Sequence, residues 1–194
     1  MSTSTALSGI TEPRPGRLFY FTYGTNLHEE QLRLRDVRPA SAVPACLADY
    51  RLDFFGHAHM WDGGMETVVP APGHRVWGVV HDLSGMAADR LDAWQDARFD
   101  GAGAYFHYPV TVTAPDGTAY AALTYKKDIL GSPMPPSGDY MAFLMAGARQ
   151  NGLPEEWLAV LRGIPTRQAG YAVPRHSPFN RGMLADVSCA SCDG

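Results

Sequence analysis

Apolar and polar positions alternate along this chain in short runs, with few long helical stripes. Residues 17–22, Arg-Leu-Phe-Tyr-Phe-Thr, are aromatic and apolar enough for a short buried strand. Gly24 breaks that pattern, and residues 27–35 resume it at helical spacing with Glu29 and Glu30 in the first turn, which predicts a strand, a turn and a helix. Further strands are predicted at 50–55, 66–70, 76–82, 105–114 and 118–125. Pro72-Gly73 and Pro115-Asp116-Gly117 supply turns, the latter joining the last two strands into a hairpin. Helices are predicted at 87–94, 139–151 and 155–162, with Asn151-Gly152 stopping one and Pro154 starting the next. Strands outnumber helices and are joined mainly by short turns. The fold class is therefore α+β, built on a mixed or antiparallel sheet able to curl into a barrel.

The chain of 194 residues has room for one domain, with a flexible N-terminus at 1–16, a folded unit at 17–165 and an extended or disordered tail at 166–194. A formal charge of −4 with 45% apolar residues describes a soluble globular protein without attraction for nucleic acid or anionic membrane. No apolar run approaches the roughly 18 residues that span a bilayer, and residues 1–9 lack the basic and apolar parts of a secretion signal. A cytoplasmic location is expected, and a homodimer is compatible with this reading. Cys46, Cys189 and Cys192 are too few for a disulfide framework, and the terminal Cys-x-x-Cys is half a zinc site at most. His57 and His59 share a strand face without an evident third ligand, so a metal site is not expected there.

The chemistry concentrates at Tyr20-Phe21-Thr22-Tyr23-Gly24-Thr25-Asn26-Leu27. A glycine there admits unusual backbone angles and close approach of a ligand, and unpaired N–H groups at a helix start attract carboxylate or phosphate. A plain β-to-α connection fits the same residues.

Several passages together resemble the gamma-glutamylcyclotransferase family across about residues 17–162. Tyr23-Gly24-Thr25-Asn26-Leu27 is similar to its Tyr-Gly-Ser-Asn-Leu signature. Arg51-Leu52-Asp53-Phe54 with Trp61-Asp62-Gly63-Gly64, Pro72 to Val80, and Tyr140 with Met145 to Pro154 resemble later segments in order and spacing. The resemblance implies a small closed β-barrel with flanking helices and a pocket for a γ-glutamyl group. It also implies a cofactor-free reaction, in which the substrate's α-amine attacks its own γ-amide carbonyl to give 5-oxoproline and a free amine or amino acid. Tyr20 to Asn26 would bind the acyl group, while Tyr105 and Tyr140 would wall or seat the substrate.

Extending the match from Gly78-Val79-Val80 without a gap places Gln95 where the family carries its catalytic glutamate. An amide cannot exchange a proton near neutral pH, and general acid–base help is worth about 10²- to 10⁴-fold. Three readings stay open. Asp96 supplies the carboxylate, which requires the helix to bend or end, because adjacent helical residues point about 100° apart. Alternatively Glu66 supplies it, an acid set among the apolar residues of Met65-Glu66-Thr67-Val68-Val69 that is costly to bury without purpose. In the third reading the pocket is repurposed, either binding a small amide metabolite or catalysing a different biosynthetic amide or acyl rearrangement.

Overall fold

The computed structural model describes residues 9–98, 100 and 102–175, so Cys189, Cys192 and most of the expected tail lie outside the described residues. Five strands close into a barrel in the order β1-β3-β2-β4-β5, where β1 is Arg17–Thr22, β2 Ala42–Ala58, β3 Gly63–Ser84, β4 Phe106–Thr113 and β5 Ala119–Lys126. Four helices flank it: α1 (Glu29–Leu34), α2 (Gly85–Gln95), α3 (Gly138–Gln150) and α4 (Glu155–Arg162). The sheet is mixed. β1 runs antiparallel to β3 and parallel to β5 at Tyr20 opposite Leu123, whereas the other pairings are antiparallel. The architecture is thus the α+β barrel expected.

Two strands are longer than the hydrophobic pattern predicts. Pro72-Gly73 is not a hairpin turn, since β3 continues through it beside β2. The cause is a matched irregularity. Asp49 and Gly73 both take left-handed backbone angles, with φ of 62° and 80°, and Asp49 Oδ1 accepts the Gly73 N–H at 2.8 Å. The ladder shifts register between Ala48 and Tyr50 and then resumes, bending the ribbon without ending it. The predicted helix at 27–35 is also divided. A 3₁₀ turn at Thr25–Leu27 precedes α1, because His28 is extended (φ −81°, ψ 122°) and caps α1 by accepting the Glu30 N–H on Nδ1 at 3.3 Å.

Phe21, Val68, Val76, Val79, Val80 and Val112, all fully buried, belong to the main hydrophobic core, which packs both faces of the sheet. Helix α3 joins this core through Leu144 and presses Gly147 against the 3₁₀ turn, where a Cβ would stand 2.7 Å from His28 N. Asn151 Nδ2 fastens the same corner by donating to the Leu27 carbonyl at 2.7 Å. Beyond α4, residues 166–175 run along the rim: Gly170 N donates to Asp62 Oδ2 at 2.6 Å and Arg175 N donates to the Met60 carbonyl at 2.7 Å. Gly147→Ala is expected to cost about 1–3 kcal/mol in urea unfolding through overpacking, despite alanine's better helix propensity. An unchanged or raised unfolding midpoint would show that α3 does not hold the corner this closely.

Candidate active site

The end of β1 and the start of β3 meet over a small polar chamber of about 10 Å³, between Tyr20, Tyr23, Gly24, Glu66, Gln95 and Tyr105. A cleft of about 150 Å³ adjoins it, sharing Glu66, Gln95 and Tyr105 and adding Arg35, Trp61, Trp94 and Tyr140. Residues from β1, α1, β3, α2 and α3 therefore converge on one place.

Glu66 lies where the two spaces join. Its carboxylate rests against Gly24, in the position that a Cβ at residue 24 would need. Gly24 has φ −107° and ψ −150°, so it is extended, and a side chain there would displace the neighbouring carboxylate rather than strain a left-handed turn. Tyr105 Oη donates to the Glu66 carbonyl at 2.9 Å and reaches Oε2 at 3.4 Å. Burial raises the Glu66 pKa above the ordinary 4.5, opposed by local hydrogen bonds and the positive charge of Arg35. Burial and the nearby Glu66 charge push the phenols of Tyr23, Tyr105 and Tyr140 well above their usual range, and burial takes Tyr20 up to about 12. These four groups stay protonated; Tyr23 and Tyr105 donate to the Tyr125 and Glu66 carbonyls, and the Tyr20 hydroxyl accepts from Asn26 Nδ2 at 3.2 Å.

The other sequence candidates divide between cavity and core. Tyr20, Thr22, Tyr23, Gly24 and Asn26 line the chamber, and Thr25, Asp96 and Tyr140 line the cleft. Phe21 does neither, being fully buried in the barrel core. Tyr140, capped at the start of α3 by Ser137, packs edge-on against Phe54 and Trp61, and its Oη is buried without a hydrogen-bond partner. Helix α2 ends at Asp96 with φ 49°, and the Asp96 carboxylate accepts from Arg98 Nε at 3.0 Å and Ala104 N at 3.1 Å. It thereby ties together the loop that leads to Tyr105. His57 Nε2 pairs with Asp62 Oδ1 at 2.8 Å, and among the described residues no three His, Cys, Asp or Glu side chains converge as a metal site.

Three contributors escape sequence reasoning. Arg35, at the C-terminus of α1, is only 5% exposed; its Nη1 donates to Asn26 Oδ1 at 2.5 Å and reaches Gln95 Oε1 at 3.4 Å. The guanidinium carbon lies 5.3 Å from the centre of the Trp94 ring. A basic residue in a last helical turn ordinarily reads as a solvated cap, so no periodicity could mark Arg35. Tyr125 donates to Asp92 Oδ1 at 2.5 Å, which also pairs with His107 Nε2 at 2.7 Å, and the Tyr125 carbonyl accepts from Tyr23 Oη at 2.5 Å. The Asp92 hydrogen bond raises the His107 pKa.

A closed barrel whose flanking helices bring a carboxylate, an arginine and several phenols to one small cavity has the fold of the gamma-glutamyl cyclotransferases. A solved structure described by that name superposes with a TM-score of 0.71 at 29% identity, covering 88% of this chain and 99% of that one. The family model "Gamma-glutamyl cyclotransferase, AIG2-like" matches residues 20–142. The gamma-glutamylcyclotransferase of Homo sapiens is 32% identical over 159 residues, covering 80% of this chain and 82% of the human protein, and that of Bos taurus is 33% identical over 149 residues, covering 75% and 77%. The chain belongs to the gamma-glutamylcyclotransferase family.

The raised pKa of Glu66 links the site to stability. A carboxyl whose folded pKa exceeds its unfolded value binds protons more tightly in the native state, so its contribution is fully present below pH 4.5 and is lost as pH rises through the folded pKa. Glu66→Gln, which removes the charge, is expected to gain stability relative to wild type as pH climbs from 4 to 8. Urea midpoints of both proteins across that range check it; parallel curves would mean that Glu66 is not held in an unfavourable ionised state.

Proposed function

We propose that this protein cleaves a small γ-glutamyl amide by cyclotransfer and that Glu66 carries the proton. The substrate's α-amine nitrogen bonds to the γ-amide carbonyl carbon, the bond from that carbon to the leaving nitrogen breaks, and the products are 5-oxoproline and a free amine or amino acid. Glu66 takes a proton from the α-ammonium to free the attacking amine; the attacking nitrogen gives up a second proton as the bond to the leaving nitrogen breaks, and the leaving nitrogen takes up both to depart as an ammonium, so protons balance without a cofactor. Ring closure to five members is favoured by proximity, leaving orientation, oxyanion stabilisation and proton transfer to the protein.

The observation that carries this reading is the position of Glu66 against Gly24, at the junction of chamber and cleft. Its raised pKa suits a base that must also give its proton back. The N–H groups of Gly24 and Thr25 precede the first donor of the 3₁₀ turn, Leu27, which pairs with the Gly24 carbonyl at 3.0 Å. They and the protonated Tyr140 are the donors available to a developing oxyanion, the Tyr105 hydroxyl being engaged by the Glu66 carbonyl. Gln95 orients Arg35 and takes no proton, and Asp96 holds its loop.

Incubation with γ-glutamyl amino acids and γ-glutamyl amines should release 5-oxoproline. Glu66→Gln is expected to lower kcat/KM by about 10²- to 10⁴-fold, whereas Asp96→Asn retains most activity. Because Glu66 acts as its anion, the wild-type kcat/KM should rise with pH through an ionisation above 4.5, and that limb should vanish in Glu66→Gln. If no substrate yields 5-oxoproline, cyclotransfer is wrong and the pocket serves binding or another amide rearrangement. A reversed pattern for the two variants would move the proton carrier to Asp96.

A further inference from the structure

Arg35 is a buried cation with only neutral partners. Its two side-chain hydrogen bonds, to Asn26 Oδ1 at 2.5 Å and Gln95 Oε1 at 3.4 Å, both leave from Nη1. Among the described residues, no carboxylate oxygen lies within 4.0 Å of the guanidinium and no hydrogen bond is made by Nε or Nη2. The group nevertheless lines the 150 Å³ cleft. Burial pushes its pKa down to about 10, which still leaves it charged at neutral pH. A desolvated charge is costly unless it is paired, and the guanidinium fork matches a carboxylate in two-point geometry.

Gln95 gives this arrangement its point. A carboxylate at residue 95 would form an ion pair with Arg35 over the 3.4 Å separation that now joins it to an amide oxygen, and would neutralise the cation. The amide holds Arg35 in position and leaves its charge available. Glu66 lines the same cleft with the opposite sign. The cavity therefore offers the Arg35 cation and the Glu66 anion, while the Asp96 carboxylate, also on its lining, is already held by Arg98 Nε and Ala104 N; this is a charge pattern complementary to an amino-acid zwitterion.

We infer that Arg35 is the receptor for the ligand's α-carboxylate, so that the site selects a head group carrying both α-carboxylate and α-ammonium and rejects analogues lacking the acid. The orientation this gives, with the carboxylate on Arg35 and the ammonium toward Glu66, rests on the cyclotransfer reading for its chemical meaning. The recognition itself is separable from turnover.

Binding to the full chain tests it by calorimetry with two matched pairs: 5-oxoproline against 2-pyrrolidinone, which is the same lactam without the carboxylate, and L-glutamine against 4-aminobutanamide. Wild type is expected to prefer each acid by roughly 10- to 100-fold, the range of a charge-assisted contact. Arg35→Gln should remove that preference while changing 2-pyrrolidinone affinity by less than about threefold, and Arg35→Lys should restore part of it. Gln95→Glu should reduce the preference by pairing with Arg35; it provides the test if Arg35→Gln does not fold, as judged by thermal unfolding. An undiminished preference for the acids in Arg35→Gln, or in Gln95→Glu should the first not fold, overturns the assignment. A wild type that makes no 5-oxoproline yet shows an Arg35-dependent preference for L-glutamine would defeat the reaction and keep the receptor. Turnover indifferent to Arg35 in both KM and binding would do the opposite.

Discussion

The pairing of β1 on both of its edges is the constraint on which the rest of the molecule depends. One edge runs antiparallel to β3 from Arg17 opposite Ser84 to Thr22 opposite Val79, and the other meets β5 in parallel at Tyr20 opposite Leu123. That double engagement closes the barrel and fixes where β1 ends, so Tyr23, Gly24 and Thr25 are placed by the core rather than by a loop. Thr124 Oγ1 reinforces the closure by donating to the Phe21 carbonyl at 2.8 Å. Helix α3 seats the outer side of the same corner through Gly147 and Asn151. A site built on elements held this way keeps its geometry without spending binding energy on ordering.

Within that frame the charge of the site sits on strand β3 and beside α1 rather than on α2: Glu66 supplies the carboxylate, Arg35 the cation, and α2 contributes the amide of Gln95. The acid and the missing side chain of Gly24 fit together, because any Cβ at residue 24 would displace the carboxylate. Glycine at that position accordingly has two readings, an aid to backbone bending and a space for a neighbour, and the extended angles of Gly24 select the second. Arg35 accordingly makes its hydrogen bonds to the neutral side chains of Asn26 and Gln95 and meets Glu66 only through its charge.

Much of this was legible in the sequence wherever local chemistry decides structure. The strand, turn and helix around Gly24, the hairpin turning at Pro115-Asp116-Gly117, and the break between α3 and α4 all follow from residues close together in the chain. Glu66 stood out because an acid among apolar strand residues needs a reason. The length of β2 and β3 was hidden, since the irregularity that carries the ladder past Gly73 needs Asp49, a partner distant in sequence. His28 divided a helix whose hydrophobic spacing was continuous. Arg35 was hidden for a related reason: its burial comes from Trp94 and Gln95 on α2, and no pattern within α1 reports that.

The matched bend of β2 and β3 also bears on the order in which the molecule assembles. These strands are joined by a short connection and pair along most of their length, so their ribbon is a local structure of low closure entropy that can form early. Barrel closure instead joins residues such as Phe21 and Thr124, which are 103 positions apart. Glu66 belongs to that ribbon, whereas Gly24 follows β1, 42 positions earlier in the chain, so pairing within the ribbon does not by itself bring the acid against the glycine.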